Sequence, residues 1–386
     1  MQKLVKFSSF CRLTCRFLPI WNSLRAEVFR TTGGALFSSS MSELPLKKAK
    51  STMKIGTHNG TFHCDEVFAC HMLKLLPQYK DAEIVRTRDQ ALLDGCDIVV
   101  DVGGVFDPEK HRYDHHQRTF SESMNSLKLE KKWVTKLSSA GLVYLHFGQD
   151  VLKEIIAKKS LDCSQELIDK LYDKVYEFFV EEIDAIDNGI HQTDGKPRFA
   201  TTTGLSSRVG NLNPRWNEDI GKDRAAFEMN RFTQAMRMVG EEFEDRIDYY
   251  ATSWWPARTL VANAIQNRHN VDESGEIINL SEGGCPWKDH LFTMEEELNI
   301  KPTIKFVLYS DTNGKWRVQC VPEMLGSFNN RLSLMEEWKG IRDEKLSEIS
   351  GIPGCVFVHA NGFIGGNNTY EGVLEMSRQT LKARKD

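Results

Sequence analysis

The sequence reads as an α/β protein: a mostly parallel sheet flanked by helices, a helical connector, and a smaller C-terminal α/β domain. Three observations predict this. Short apolar strand segments alternate with helical periodicity from Lys54 to Val102. Two long helical stripes occupy the middle of the chain. Strand signals joined by a turn return after Ala257.

The elements follow in order. Lys54 to His58 (KIGTH) opens the folded part as a strand. Asp65 to Leu76 carries Val67, Phe68, Met72, Leu75 and Leu76 at helical spacing. Glu83 to Arg86 is a second strand, and Asp97 to Val102 (DIVVDV) a third, apolar on both faces as a buried parallel strand should be. Ligands of such sheets gather at the carboxyl ends of strands, and His58 and Asp101 stand there. Ser138-Ser139 can cap the helical segment SSAGLVYLHFG. Gln165 to Ile186 places Leu167, Leu171, Val175, Phe178, Phe179, Ile183 and Ile186 on one stripe, and stops at Asn188-Gly189. Glu218 to Tyr250 is a second long helix, which Trp254, Trp255 and Pro256 are expected to terminate. Thr259 to Ala262, Thr303 to Tyr309, Lys315 to Val321 and Cys355 to His359 read as strands, with a turn at Asp311, Asn313 and Gly314. A glycine-rich turn, Asn361 to Asn368, follows. The expected division is a leader and linker over 1–45, a first α/β domain over 52–205, a connector over 206–256 and a second domain over 257–386.

Composition narrows the classes. The 386 residues are 40% hydrophobic and 27% charged, as in globular proteins, and no apolar run is long enough to span a bilayer, so no membrane partner is expected. The nine cysteines are scattered without a CxxC pair, which argues against a disulfide framework or zinc finger and fits a reducing compartment. The first 40 residues hold six basic groups (Lys3, Lys6, Arg12, Arg16, Arg25, Arg30) against Glu27 alone. That is the composition of a mitochondrial transit peptide, with a disordered tail as the plainer alternative. Met41 offers a second start, and Lys47-Lys48-Ala49-Lys50 is a weak basic cluster of the nuclear-import kind or a solvated linker. Mitochondrial matrix with a nuclear pool is the expected location. Without the leader, 44 basic groups face 53 acids, a net charge near −9. A polyanion must then be held by a local patch or by metal ions.

Four segments concentrate side chains that ligate hard and borderline cations. THNGTFHCDE holds His58, His63, Asp65 and Glu66; DVGG holds Asp101; YDHHQR holds Asp114, His115 and His116; EEIDAIDNG holds Asp184 and Asp187. Each has a plain reading. His58 alone is more often a hydrogen-bonded strand-end histidine, Asp65 and Glu66 suit a helix N-terminus, and Asp101 could cap a strand. Asp187 is harder to dismiss, because the dipole disfavours a carboxylate in the last turn of a helix. These plain readings are independent of one another, so their coincidence favours a metal centre. Arg118 and His111 flank the tripeptide as phosphate-contact candidates or ordinary surface residues. Cys64 reads as filler, since no base accompanies it.

The order of HxxxxHxD, DIVVDVGG, DHH and a later Asp resembles the DHH phosphoesterase superfamily. GTHNGTFHCDE, DVGGVFD, RYDHHQR, LSSAGLVY, DAIDNG, LSSRVGNLNPRWN and HANGFIGGN are more closely similar to the melanocyte proliferating gene protein family, from Lys54 to the C-terminal region. The resemblance implies a DHH-type catalytic domain over 52–205, a substrate-binding domain over 257–386, and two divalent metal ions, manganese first. Asp101 would bridge them. His58 and His63 would complete one metal, and Asp65, His115 and Asp187 the other, with Asp184 in reserve. His116 would face the substrate phosphate and Asp114 would orient its neighbours. His359, Gly365 and Gly366 would contact substrate through a glycine-rich backbone cradle. The commoner first motif is HxxxDxD; here the spacing is one residue longer and His63 replaces an Asp. A nitrogen donor favours manganese, cobalt or zinc over magnesium.

The resemblance therefore implies a metal-dependent phosphodiester hydrolase, a 3′–5′ exonuclease on single-stranded RNA using water activated by two metals. A pyrophosphatase or other small-molecule phosphatase would need a compact basic enclosure, whereas Arg208, Arg215, Arg258, Arg331 and Arg378 are scattered. Trp216, Trp254 or Trp255 beside the cleft would favour nucleic acid. A non-catalytic metal-binding scaffold is the third reading. The oligomeric state stays open, a homo-oligomer included.

Overall fold

The computed structural model describes residues 52–159, 161 and 163–384. The expected leader and linker over 1–45, and the basic cluster over 47–50, lie outside the described residues. The first half contains β1 (Lys54–Thr57), α1 (Cys64–Leu75), β2 (Glu83–Arg86), α2 (Gln90–Asp94), β3 (Ile98–Val100), β4 (Phe106–Asp107), β5 (Arg112–Tyr113), α3 (Met124–Leu127), α4 (Ser139–Lys158), α5 (Gln165–Val175), α6 (Glu181–Asp187) and α7 (Leu205–Gly210). The second half contains α8 (Arg224–Tyr249), α9 (Trp255–Gln266), α10 (Arg268–Val271), β6 (Ile277–Asn279), α11 (Trp287–Glu297), β7 (Phe306–Ser310), β8 (Trp316–Cys320), α12 (Asp343–Ser350), β9 (Cys355–Val358), β10 (Ile364–Asn367) and α13 (Tyr370–Ala383). Ser51–Asp386 forms one compact unit.

The architecture is α/β with two mixed sheets flanked by helices. The first sheet has the order β2-β1-β3-β5-β4. β2, β1, β3 and β5 are parallel, as expected, and only the edge strand β4 is antiparallel. β3 lies in the middle and is buried throughout, which is why its sequence is apolar on both faces. α1 packs against α4 and α8 and buries nine of its twelve residues, Asp65 and Glu66 among them. Two acids inside a buried helix require partners.

The second sheet has the order β6-β7-β8-β10-β9, with β6 and β7 parallel and the remaining pairs antiparallel. The β7–β8 hairpin forms where the turn residues predict it. Alternate residues divide between two cores. Ile277, Phe306, Leu308 and Val318 pack with α12 and α13, while Ile278 and Val307 pack with α9 and α11.

Three expectations are corrected. Trp254-Trp255-Pro256 does not end the helical stretch: a π-turn over Tyr250–Trp254 leads directly into α9. Pro256 falls at the join of the π-turn and α9, where the helical hydrogen-bond ladder is already irregular. Thr259 to Ala262 is consequently helical, with Val261 in the core beneath the second sheet. The expected turn over 361–368 contains β10, so Gly365 and Gly366 belong to a strand paired with β8 and β9 on its two sides. A Cβ on Gly365 would press against Leu334 and Met376.

Among the described residues no helix is long and apolar enough to cross a membrane. The described cysteines are free.

Candidate metal centre

Parallel strands β1, β3 and β5 are neighbours, so their carboxyl ends lie side by side about 5 Å apart. His58 follows β1, Asp101 follows β3, and Asp114-His115-His116 follows β5. The N-terminus of α1 adds His63, Asp65 and Glu66, and the last turn of α6 adds Asp187. All four sequence segments meet at one end of the sheet.

The turn after β3 is built for this. Asp101 is in the left-handed region (φ 58°), followed by Gly103 and Gly104, also at positive φ. Only glycine, or an Asn or Asp with a local bond, adopts this readily. The Gly104 N–H donates to Asp114 Oδ2 at 2.6 Å, which ties this turn to the DHH segment.

Asp101 is central. Its Oδ2 lies 3.3 Å from His58 Nε2, and its Oδ1 lies 3.2 Å from His115 Nε2 and 3.4 Å from His116 Nδ1. His58 Nε2 is also 2.9 Å from Glu66 Oε1. His115 Nε2 is 3.2 Å from Asp187 Oδ2 and 3.8 Å from Asp65 Oδ2. Three overlapping groups have ligand atoms close enough to hold a cation: His58, His63, Glu66 and Asp101; Asp101, His115 and His116; and His63, Asp65 and Asp187.

The donor set fits divalent metal ions on a second ground. Asp65 Oδ1 and the His115 Nδ1 are buried without a hydrogen-bond partner, and Asp101 Oδ1 and His115 Nε2, 3.2 Å apart, make no well-aligned hydrogen bond. Such orphaned atoms are costly unless something else satisfies them. Burial, with Asp101, Asp187 and Glu66 close by, pushes the Asp65 carboxyl well above its usual range. A cation would relieve that repulsion. Asp101 moves the other way, to about 2: burial would raise it, but His115 and His58 outweigh burial. His58 rises to about 10 and His115 to about 9, where the Asp101, Glu66 and Asp187 carboxylates overcome the burial that would lower them.

A pH dependence follows. Both imidazoles hold a proton at neutral pH in the metal-free protein and must lose it to ligate. Metal binding should release protons, and affinity should rise with pH up to about 10, where His58 has lost its proton. Titration calorimetry with manganese in buffers of different ionisation heat would measure this. Manganese at a hundredfold excess over its dissociation constant should add about 2.7 kcal/mol of stability. No thermal shift and no proton release would contradict a metal centre.

Asp184 and Asp187 are now distinct. Asp184 is buried and accepts from Ser138 N (2.9 Å), Ser138 Oγ (2.7 Å), Gly141 N (3.0 Å) and Tyr176 OH (3.0 Å). It anchors the start of α4. Burial, larger than these four donors, pushes its carboxyl up to about 7. Asp187 faces the cluster.

Asp114 accepts from the His116 N–H (3.1 Å) and lies 2.8 Å from its Nδ1. His116, with 62% of its side chain exposed, stands over a cavity of about 640 Å³. Lys136, Asn188, Ser206 and Ser207 also line this cavity. Arg118 is exposed and does not line the cavity, and His111 packs against Tyr113 and Phe147. His359, Gly365 and Gly366 lie in the second sheet region and do not line the cavity. Cys64 is buried, and burial pushes its thiol up, away from nucleophile chemistry. Trp254 is core, donating its indole N–H to Asp289 Oδ2 at 3.0 Å.

Three contributors have weak sequence signals. Glu66 looks like a helix N-terminal acid, yet it accepts the His63 N–H (2.9 Å) and contacts His58. Ser139 Oγ donates to Asp65 Oδ2 at 2.7 Å. Arg86 holds the His58–Phe62 loop by donating to Gly60 O (2.7 Å) and His58 O (3.2 Å), and lies over Phe232. Glu66 stands among the ligand-type side chains of its segment without an assigned role, and no sequence signal marks Ser139 or Arg86.

A family model described as Uncharacterised protein family (UPF0160), MYG1_exonuc, matches residues 54–381. The chain is 56% identical over 345 residues to a Bos taurus protein named MYG1 exonuclease, covering 88% of each. It is 55% identical over 345 residues to the Homo sapiens MYG1 exonuclease, covering 88% of this chain and 90% of that one. The MYG1 protein of Saccharomyces cerevisiae is 44% identical over 340 residues, covering 86% and 97%.

Proposed function

The chain belongs to the MYG1 family (UPF0160), and on that footing we propose a metal-dependent phosphodiester hydrolase, a 3′–5′ exonuclease of single-stranded RNA. Relatives named exonuclease suggest a nuclease. The observation that carries the metal-dependent part is the convergence of buried, poorly satisfied carboxylate and imidazole atoms beside an open cavity of mixed polar and apolar lining. Placement in the DHH phosphoesterase superfamily belongs to the same proposal. So do the division at 52–205, 206–256 and 257–386, manganese as the native ion, and residence in the mitochondrial matrix with a nuclear pool.

Bound there, two divalent ions would lower the pKa of a shared water and neutralise charge on the phosphoryl oxygens. Asp101 directs one carboxylate oxygen toward His58 and the other toward His115, so it would hold a metal ion together with either histidine. Asp114 fixes the ring of His116 and raises its proton affinity, so the imidazole can donate to a phosphoryl or leaving oxygen. Lys136 can offset phosphate charge from the cavity wall, and Arg118 from outside it.

His116→Ala should keep its metal and lose about 10²-fold in turnover. Metal analysis of the purified variant checks this, and loss of metal would make His116 a ligand instead. The test of the function is a manganese-supplemented panel of single-stranded RNA, single-stranded DNA, pyrophosphate and short nucleotides. RNA labelled at its 3′ end should lose label first. Preferred turnover of pyrophosphate would move the protein to the small-molecule phosphatases.

A further inference from the structure

Beside the metal loop lies a second cavity, of about 400 Å³, lined by Asn211, Asn213, Arg215, Asn217, Glu218 and Arg231. Nothing in the proposed hydrolysis uses it. Its lining is wholly polar, and its volume falls in the range of small-ligand sites. Glu218 is matched by Arg231. Among the described residues the Arg215 guanidinium has no carboxylate within ion-pair distance, whereas nearby Arg208 pairs with Glu242. The cavity therefore retains one uncompensated positive charge, with amides able to donate and accept.

Two further facts give it a direction. Asn213 grips the peptide of Phe62 from both sides: it accepts the Phe62 N–H at 2.9 Å and donates to Phe62 O at 2.8 Å. Phe62 lines the first cavity and precedes His63, so the second cavity is fastened to the metal loop itself. Trp216 follows Arg215 and is 97% exposed. It lies three residues from Asn213, a reach of at most about 11 Å. Its indole face is open to solvent, so a flat base can stack on it.

We propose that Asn211 to Asn217 forms a nucleobase subsite of the single-strand track, next to the nucleotide whose phosphodiester reaches the metal cluster. A base stacks on Trp216, Arg215 meets the strand's phosphate, and the asparagine amides meet base edges. This rests on the nuclease reading and deepens it: the subsite supplies locally the strand affinity that the net negative chain lacks.

The test uses the full chain with Trp216→Ala, Trp216→Phe and Arg215→Ala. Binding of a fluorescent single-stranded RNA is read by anisotropy in EDTA, and turnover of RNA and of bis(p-nitrophenyl) phosphate in manganese. Trp216→Ala should weaken RNA binding by about 5- to 100-fold and raise KM more than it lowers kcat. Trp216→Phe should recover most of the loss, and Arg215→Ala should flatten the salt dependence of binding. The kcat for the small diester, which has no neighbouring nucleotide to reach the subsite, should be unchanged in all three. Equal RNA binding by wild type and Trp216→Ala overturns the subsite and leaves the nuclease reading standing. A wild type that cleaves the small diester and binds no single strand overturns the nuclease reading itself.

Discussion

Replacing Asp101 with asparagine is expected to abolish hydrolysis, by roughly 10³-fold or more, and to strip bound metal. Asparagine is the cleaner substitution. Asp101 sits at φ 58°, a region asparagine tolerates and alanine does not, so the backbone turn should survive while the charge disappears. One carboxylate reaches toward both His58 and His115, and its loss removes a ligand common to two of the three candidate groups. The two histidines should also fall from about 10 and about 9 toward ordinary values, because Asp101 is foremost among the groups that raise them. NMR titration of the imidazoles in EDTA would report this independently of activity. An Asp101→Asn protein with full turnover would remove the two-metal mechanism.

The second large effect is structural, and it separates two acids three residues apart. Asp184→Ala should cost about 3–5 kcal/mol, because four donors lose their common acceptor in a buried site. Gly141→Ala should be harmful at the same place, since a Cβ there would overlap the Asp184 carboxylate. Asp187→Ala should leave stability in EDTA nearly unchanged and lose metal affinity. Denaturation in EDTA, paired with metal titration, gives the comparison. If Asp184→Ala unfolds like wild type and binds no metal, the roles drawn for the two acids are reversed.

Much of this site could be read from the chain. Asp114-His115-His116 is too polar to be core, and DIVVDVGG reads as a buried strand ending in a carboxylate because strand periodicity is local. The strands at 54–57, 83–86 and 98–100 and the β7–β8 hairpin follow from the same local rules. The misreadings are local too. Thr259 to Ala262 is β-branched enough to pass for a strand, but the packing of α9 beneath the second sheet decides it. Gly365 and Gly366 suggest a loop by composition, whereas close approach of Leu334, Met376 and Arg317 is what requires them.

The sequence by itself determined the kind of chemistry: which side chains can ligate, and that they stand at strand ends and a helix start. It could put Asp187 before Asp184 but not give Asp184 its role, or promote Glu66 from helix-start acid to a partner of His58. Those choices depend on contacts between residues far apart in the chain, such as Ser138 with Asp184 and Asn213 with Phe62. Only the tertiary structure fixes them, because a carboxylate's role is set by the donors and charges that packing brings to it. Neighbours in sequence share a helix, but not an environment.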